Sequence, residues 1–217
     1  MSAPLPAPPA TLNRLSLYLR CLRERLANGR PTISSKELAD QLHISSAQIR
    51  KDLAHFGAFG IRGVGYEIAP LADRVHRLLG LDHKHRLVIV GMGNLGRALA
   101  AYRGFNDESF EVVAGIDVDP TKIGKCLGRV VVHHVDDLET TVRKTAADIG
   151  VLTVPAAAAS NCYQALVDAG IRALLNFSPV QLPERPEVKI KNVDLRIQLE
   201  ETSFLLQRSV QVAKETD

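Results

Sequence analysis

The 217-residue chain has no tryptophan, two methionines and three cysteines, and aromatic residues make up only 5% of it. Cys21, Cys126 and Cys162 are odd in number, far apart and without a C-x-x-C pair, which excludes a disulfide framework and a metal site of the usual zinc spacing. They read as small buried hydrophobes. No apolar run approaches the length of about 18 residues that crosses a bilayer, so no membrane partner is expected. The opening stretch MSAPLPAPP has neither the basic start nor the apolar centre of a signal peptide. It is expected to be a short disordered arm on a cytoplasmic protein. What remains is ordinary for a soluble fold, with 46% hydrophobic and 24% charged residues, and the length suits two modest domains.

Charge is unevenly shared between the two ends. Residues 1–80 hold 11 Lys and Arg against 6 Asp and Glu, net +5, whereas residues 81–217 hold 16 against 18, net −2. A basic first third points to a polyanion partner for that part alone.

Within it, residues 11–28 place Leu12, Leu15, Leu19, Leu22 and Leu26 three and four apart, an amphipathic helix that Gly29 stops. Ser34 and Glu37 form a capping-box pattern ahead of Leu38, Ala39 and Leu42. After His43-Ile44, Ser45 or Ser46 caps a third helix with Ile49, Leu53 and Phe56 on its buried side. Two short helices so close together describe a helix-turn-helix. The third helix displays Ser46, Gln48, Arg50, Lys51 and His55, side chains that bond base edges or phosphates. Residues 57–68, GAFGIRGVGYEI, suit a two-stranded hairpin, which in a winged helix is the wing; Arg62 at its tip suits a narrow minor groove. A further helix at about 70–79 leads to a charged linker, so the first domain is set at 1–80 and double-stranded DNA is its expected partner.

From residue 86 short β-branched runs (87–90, 112–116, 130–132, 149–154 and 171–175) alternate with helical stretches near 94–104, 136–146 and 156–169, the pattern of a doubly wound parallel sheet. The first run leads straight into Gly91-Met92-Gly93-Asn94-Leu95-Gly96 and a helix. In that context the glycines are strong evidence for a Rossmann-like dinucleotide site: Gly91 for the turn, Gly93 for close approach of the pyrophosphate and Gly96 for helix-to-strand packing. Asp117 ends the next strand, where a carboxylate accepts from the ribose hydroxyls and repels a 2′-phosphate, so NAD+ and NADH are favoured over their phosphorylated forms. Lys122 is the one nearby cation that weakens the preference. This domain is set at 86–193. A last strand near 188–193 precedes a long helix, 194–217, whose Leu195, Leu199, Phe204, Leu205, Leu206 and Val210 pack either on another subunit or on the chain's own sheet.

A dehydrogenase also needs an acid or hydride partner. His133 and His134 end a strand without a carboxylate or Lys at a recognisable spacing, Tyr102 lies in the helix after the glycine loop, Tyr163 lies in a later helix, and no Y-x-x-x-K pair exists. No catalytic residue is assigned, and the expected role of the site is to hold a cofactor. A small NAD-dependent oxidoreductase with a fused helical domain, and a thiol-based DNA-binding sensor using Cys21, Cys126 or Cys162, are the competing readings.

The segments ATLNRLSLYLRCL, SSKELADQL, SAQIRKDLAHFGAFGIRGVGYEI, LVIVGMGNLGRALA, GIDVDPTKIG, LTVP, GIRALLNFSPV and NVDLRIQLE resemble those of the Rex family of bacterial redox-sensing transcriptional repressors. His55 departs from the aromatic residue common there. The resemblance implies an N-terminal winged-helix domain plus a doubly wound Rossmann-like parallel sheet, in a homodimer whose C-terminal helices are swapped. It implies a repressor that NADH releases from operator DNA. It adds Val154, Pro155, Asn176, Phe177 and Ser178 to the cofactor site, with Phe177 against the nicotinamide, and Tyr102, Arg20 and Asp194 of the partner subunit as a switch.

Overall fold

A computed structural model describes residues 8–57, 60–61 and 64–215. The chain falls into two compact units, Met1–His83 and Lys84–Asp217.

The first unit runs α1 (Pro9–Ala27), β1 (Thr32–Ile33), α2 (Ser35–Leu42), α3 (Ser46–His55), β2 (Gly60–Ile61), β3 (Gly65–Glu67) and α4 (Ile68–Leu78). The leucine stripe of α1 is buried in its middle, at Leu15, Leu19 and Leu22, together with Tyr18, while Leu12 and Leu26 at its ends stay about two-fifths exposed. Each fully buried leucine is worth about 1.5–3 kcal/mol. Gly29 follows the helix at φ +71°, the left-handed conformation that closes it. The capping box of α2 is formed, with Ser34 Oγ accepting from the Glu37 N–H at 3.1 Å and the Glu37 carboxylate from the Ser34 N–H at 2.8 Å. His43 then turns the chain at φ +53°, and Ser45 caps α3 by accepting from the Gln48 N–H.

The expected two-stranded hairpin is instead part of a three-stranded sheet, because β1 pairs antiparallel with β3 on the side away from β2. Gly65, at φ +100°, sits where a Cβ would come within 2.6 Å of the Ile33 carbonyl, so only glycine lets that third strand approach. Arg62 lies outside the described residues.

The second unit runs β4 (His85–Val90), α5 (Asn94–Ala100), β5 (Phe110–Asp117), β6 (Cys126–Leu127), β7 (Val130–His134), α6 (Leu138–Thr145), β8 (Ile149–Leu152), α7 (Ala156–Asp168), β9 (Ala173–Asn176), β10 (Lys189–Asn192) and α8 (Leu195–Glu215). The sheet order is β10-β9-β8-β4-β5-β7-β6, parallel throughout except for the short β6 against β7. Val88, Val90, Ile116, Leu152 and Leu174 pack under α6 and α7, and Leu87, Ile89 and Val151 pack on the opposite side with Met92 and with Ala100 of α5. A bulge between Leu87 and Val88 against β5 lets Val112 and Ala114, two residues apart, face opposite sides.

The expected helix at 94–104 ends at Ala100. Asn106 turns back to donate from Nδ2 to the carbonyls of Ala100 and Tyr102, satisfying the helix end from six residues downstream. Tyr102 therefore stands outside the helix, more than half exposed, before a 3-10 turn at Arg103–Phe105. The expected strand at 171–175 starts only at Ala173, with Ile171 buried ahead of it. Of the two partners open to the last helix, its own sheet does not cover it: Leu195, Leu199, Phe204, Leu205 and Leu206 are each 58–68% exposed.

Candidate functional site

The strand order reverses about β4, which has β5 on one side and β8, reached only after β7 and α6, on the other. In an open parallel sheet the crevice at such a reversal is where ligands sit. The loops leaving β4, β5 and β8 meet there around a cleft of about 430 Å³, lined by Gly91, Gly93, Asp117, Lys122, Thr153, Val154, Pro155 and Cys162 among others.

The glycine loop is held from behind. Gly91 has φ +96°, and a Cβ on it would lie 2.7 Å from the Thr153 carbonyl; one on Gly96 would lie 2.0 Å from the Gly91 carbonyl. Both positions are closed to any side chain. Gly93 differs, since a Cβ there meets nothing within 4 Å. Its hydrogen is demanded by no protein atom, which suits a position kept bare for a ligand. Thr153 Oγ1 donates to the Gly91 carbonyl at 2.6 Å, and the Gly91 N–H to the Ile116 carbonyl at 2.8 Å, so neighbouring strands clamp the loop.

Asp117 is 8% exposed. Its Oδ2 accepts from the Met92 N–H at 2.7 Å and from Lys122 Nζ at 3.0 Å, and its Oδ1 from the Asp119 N–H at 2.9 Å. Burial pushes this carboxyl up, but the Asp119 N–H, the Lys122 ammonium and the Met92 N–H outweigh it and hold the group below the usual carboxylate range. The pairing with Asp117 in turn raises Lys122. Three of the roughly four acceptor positions of the carboxylate are thus filled by the protein.

In the first unit, α3 buries Ile49, Asp52 and Leu53 and leaves Arg50, Lys51 and His55 exposed, with Ser46 and Gln48 between. Asp52 is 4% exposed and is bonded by Arg14 Nε (2.5 Å) and Nη2 (2.8 Å), Tyr18 Oη (2.8 Å) and Gln48 Nε2 (2.8 Å). Burial pushes its carboxyl up, and the bonds from Arg14, Tyr18 and Gln48 win, leaving it below its ordinary value. Arg14, paired with that carboxylate, is shifted upward.

Residues 82–180 match a family model described as a CoA binding domain, and residues 7–54 one described as a putative DNA-binding protein N-terminus. The chain is 44% identical to the redox-sensing transcriptional repressor Rex of Carboxydothermus hydrogenoformans, over 93% of this chain and 97% of that one. The chain belongs to the Rex family. The Rex of Streptomyces coelicolor is 43% identical over 93% of this chain and 78% of its own length. Among solved structures, that of RSP, a Rex-family repressor, in complex with beta-NAD+ and operator DNA matches with TM-score 0.90 and 35% identity, covering 96% of each chain. The RSP complex with beta-NADH matches with TM-score 0.85 and 34% identity, covering 96% of this chain and 98% of that one.

Against this Rex fold the site residues expected from sequence divide into two groups. Gly91, Gly93, Asp117, Val154 and Pro155 are brought to one cleft; Asn94 and Leu95 open α5 beside it, both exposed. The Met92 side chain is fully buried in the core, and its N–H donates to Asp117 Oδ2. Asn176 and Ser178 are held by hydrogen bonds within the same unit. Buried Asn176 donates to the Val180 carbonyl and to Asn192 Oδ1, and Ser178 Oγ donates to the Val154 carbonyl at 2.8 Å, tying this loop to the cleft wall. Phe177 packs against the core on the α5 side. Asp194 caps α8, accepting from the N–H groups of Arg196 and Ile197, and Arg20 is exposed on α1. Of the DNA readers expected from sequence, Lys51 is exposed, Arg50 donates to Ser35 Oγ, and Gln48 is turned toward Asp52. Thr153 and the Asp52 cluster had no local sequence signal, since a threonine after a strand and charges on two separate helices look like ordinary surface. Among the described residues no group of three or more His, Cys, Asp or Glu is placed to hold a metal ion, and no helix is long and apolar enough to cross a membrane.

Proposed function

We propose that this Rex-family chain is a redox-sensing transcriptional repressor that holds operator DNA when NADH is scarce and lets it go when NADH accumulates, a regulator and not an enzyme. One observation carries the reading: a glycine loop whose Gly93 is left bare, on a sheet that shares its chain with a helix-turn-helix unit. Support comes from RSP, whose complexes contain beta-NAD+ with operator DNA, and beta-NADH. Acting on operator DNA puts the protein in the cytoplasm.

The N–H groups at the start of α5, from Asn94 and Leu95 on, suit the pyrophosphate, and Asp117 with its remaining acceptor position suits the adenine ribose. Val154, Pro155 and Phe177 give the nicotinamide end an apolar wall. NAD+ carries a positive charge on its ring that NADH lacks, and an apolar wall favours the neutral ring.

In the basic unit, α3 enters the major groove with Ser46, Gln48, Arg50 and Lys51, and the β2–β3 hairpin is the wing of a winged helix, carrying Arg62 to the minor groove. Two copies form a homodimer through α8, exchanged between subunits, which covers the apolar face that the single chain leaves in water. Tyr102, Arg20 and Asp194 of the partner subunit carry the cofactor signal between the units. A shift from 1:99 to 99:1 in the two dimer forms takes about 5.5 kcal/mol of differential affinity, which two bound cofactors share. The test is a mobility-shift titration of operator DNA at rising NADH: retention without NADH and release with it are expected. DNA held equally at every NADH concentration would refute the function.

A further inference from the structure

We infer that Asp52 is a positioning residue that fixes which end of the Gln48 amide α3 offers to DNA, so that the helix presents an acceptor and selects a base carrying an exocyclic amino group. This rests on the reading that Gln48 meets a base edge. A carboxylate only accepts hydrogen bonds, and Asp52 stays ionised because Arg14 and Tyr18 also donate to it. The amide nitrogen of Gln48 must therefore face Asp52 Oδ1, at 2.8 Å, one helical turn away. Its Oε1 and one remaining N–H are left for a partner elsewhere. A glutamine without such a neighbour turns its amide over at little cost, because the oxygen and nitrogen ends are nearly the same shape, and then offers either polarity.

In the major groove adenine and cytosine present amino donors, whereas guanine and thymine present keto acceptors. An oxygen held in place accepts from the first pair and is repelled by the second. The remaining N–H matches adenine N7 and so favours adenine over cytosine. Gln48 is the third residue of α3, at the end of a reading helix that reaches base edges in helix-turn-helix proteins. Because Arg14 and Tyr18 both stand on α1, the polarity of the reader is set by a helix outside the helix-turn-helix itself.

The test measures affinities of the full-length protein, without NADH, for an operator library varied one base pair at a time. Gln48→Ala should erase preference at one base pair per half-site, roughly tenfold or more in the wild type. Asp52→Asn should reduce the preference for amino over keto bases at that same pair to within about twofold while leaving the ranking elsewhere unchanged. A merely structural role would weaken every sequence alike. Arg14→Met with Asp52→Asn removes the facing cation as well, and serves if the single variant does not fold. In the wild type, nuclear magnetic resonance should show one Gln48 side-chain amide proton protected from solvent exchange, and two fast-exchanging protons would overturn the proposal. If Gln48→Ala alters preference at one pair and Asp52→Asn keeps the wild-type preference there, the proposal falls and the base contact stands. If Gln48→Ala alters preference nowhere, the contact itself falls and the proposal with it.

Discussion

Replacing Gly93 and Gly96 separately by alanine should split folding from cofactor binding. At Gly96 the added Cβ would stand 2.0 Å from the Gly91 carbonyl oxygen and 2.9 Å from Thr153 Oγ1. Ordinary contact needs about 3.4 Å, so α5 must back away from β4 by more than 1 Å. Overpacking of this kind costs about 1–3 kcal/mol, and a clash with backbone belongs at the upper end. At about 2–4 °C per kcal/mol, a loss of about 3 kcal/mol lowers the melting temperature by about 6–12 °C. At Gly93 the added methyl meets no protein atom, and φ −73° is open to alanine. Alanine is a poorer N-cap than glycine, yet it restricts the unfolded chain, and these opposing terms of about 0.5–1 kcal/mol leave stability within about 1 kcal/mol of wild type. The same methyl occupies the space proposed for the pyrophosphate, so NADH affinity should fall at least tenfold, about 1.4 kcal/mol. Calorimetry without ligand and fluorescence titration with NADH read the two effects. A Gly93→Ala protein that binds NADH like wild type would remove Gly93 from the cofactor site, and a Gly96→Ala protein that melts like wild type would show that the Gly91 carbonyl does not demand a glycine there.

Lys51→Ala should weaken all operator sequences similarly and reduce the slope of log affinity against log salt by about 1; an unchanged slope removes Lys51 from the phosphate contacts. If the proposed dimer forms through α8, replacing Leu205 and Leu206 together by glutamate should leave a monomer in sedimentation, since both are exposed in the single chain. Because the Asp52 carboxyl is held below its ordinary value, its contribution to stability is complete above the unfolded value of about 3.9 and is lost as pH falls through the lower folded one. Thermal melts between pH 5 and 2.5 should therefore fall less steeply for Asp52→Asn than for wild type. Serine at Cys21, Cys126 and Cys162 together should leave release by NADH intact, and its loss would favour a thiol sensor.

The glycine loop was legible because its constraints are local: Gly91 at φ +96° and Gly96 each stand where a Cβ would strike a backbone carbonyl, which only glycine avoids. The capping box at Ser34 and Glu37 was legible for the same reason. Two-residue strands were not. Thr32–Ile33 and Cys126–Leu127 are too short to show alternation, and their existence depends on β3 and β7 lying alongside. The end of α5 was hidden because the group that satisfies it, Asn106, comes from beyond the turn. At the site, the sequence marks which residues approach the cleft but not which are already spent. Asp117 looks like an open acceptor until Met92, Asp119 and Lys122 are seen bonded to it, and Gln48 looks like a free reader until Asp52 is seen beneath it. Arg14 and Asp52, 38 residues apart, each resemble surface charge on an amphipathic helix. Only packing brings them together.

The proposed repressor couples cofactor binding to operator binding, and linkage makes that coupling measurable from the opposite side. NADH affinity should be determined by fluorescence titration with and without saturating operator DNA. Operator is expected to lower NADH affinity by the same factor by which NADH lowers operator affinity. An NADH affinity unchanged by operator would contradict that coupling, even with both ligands tightly bound.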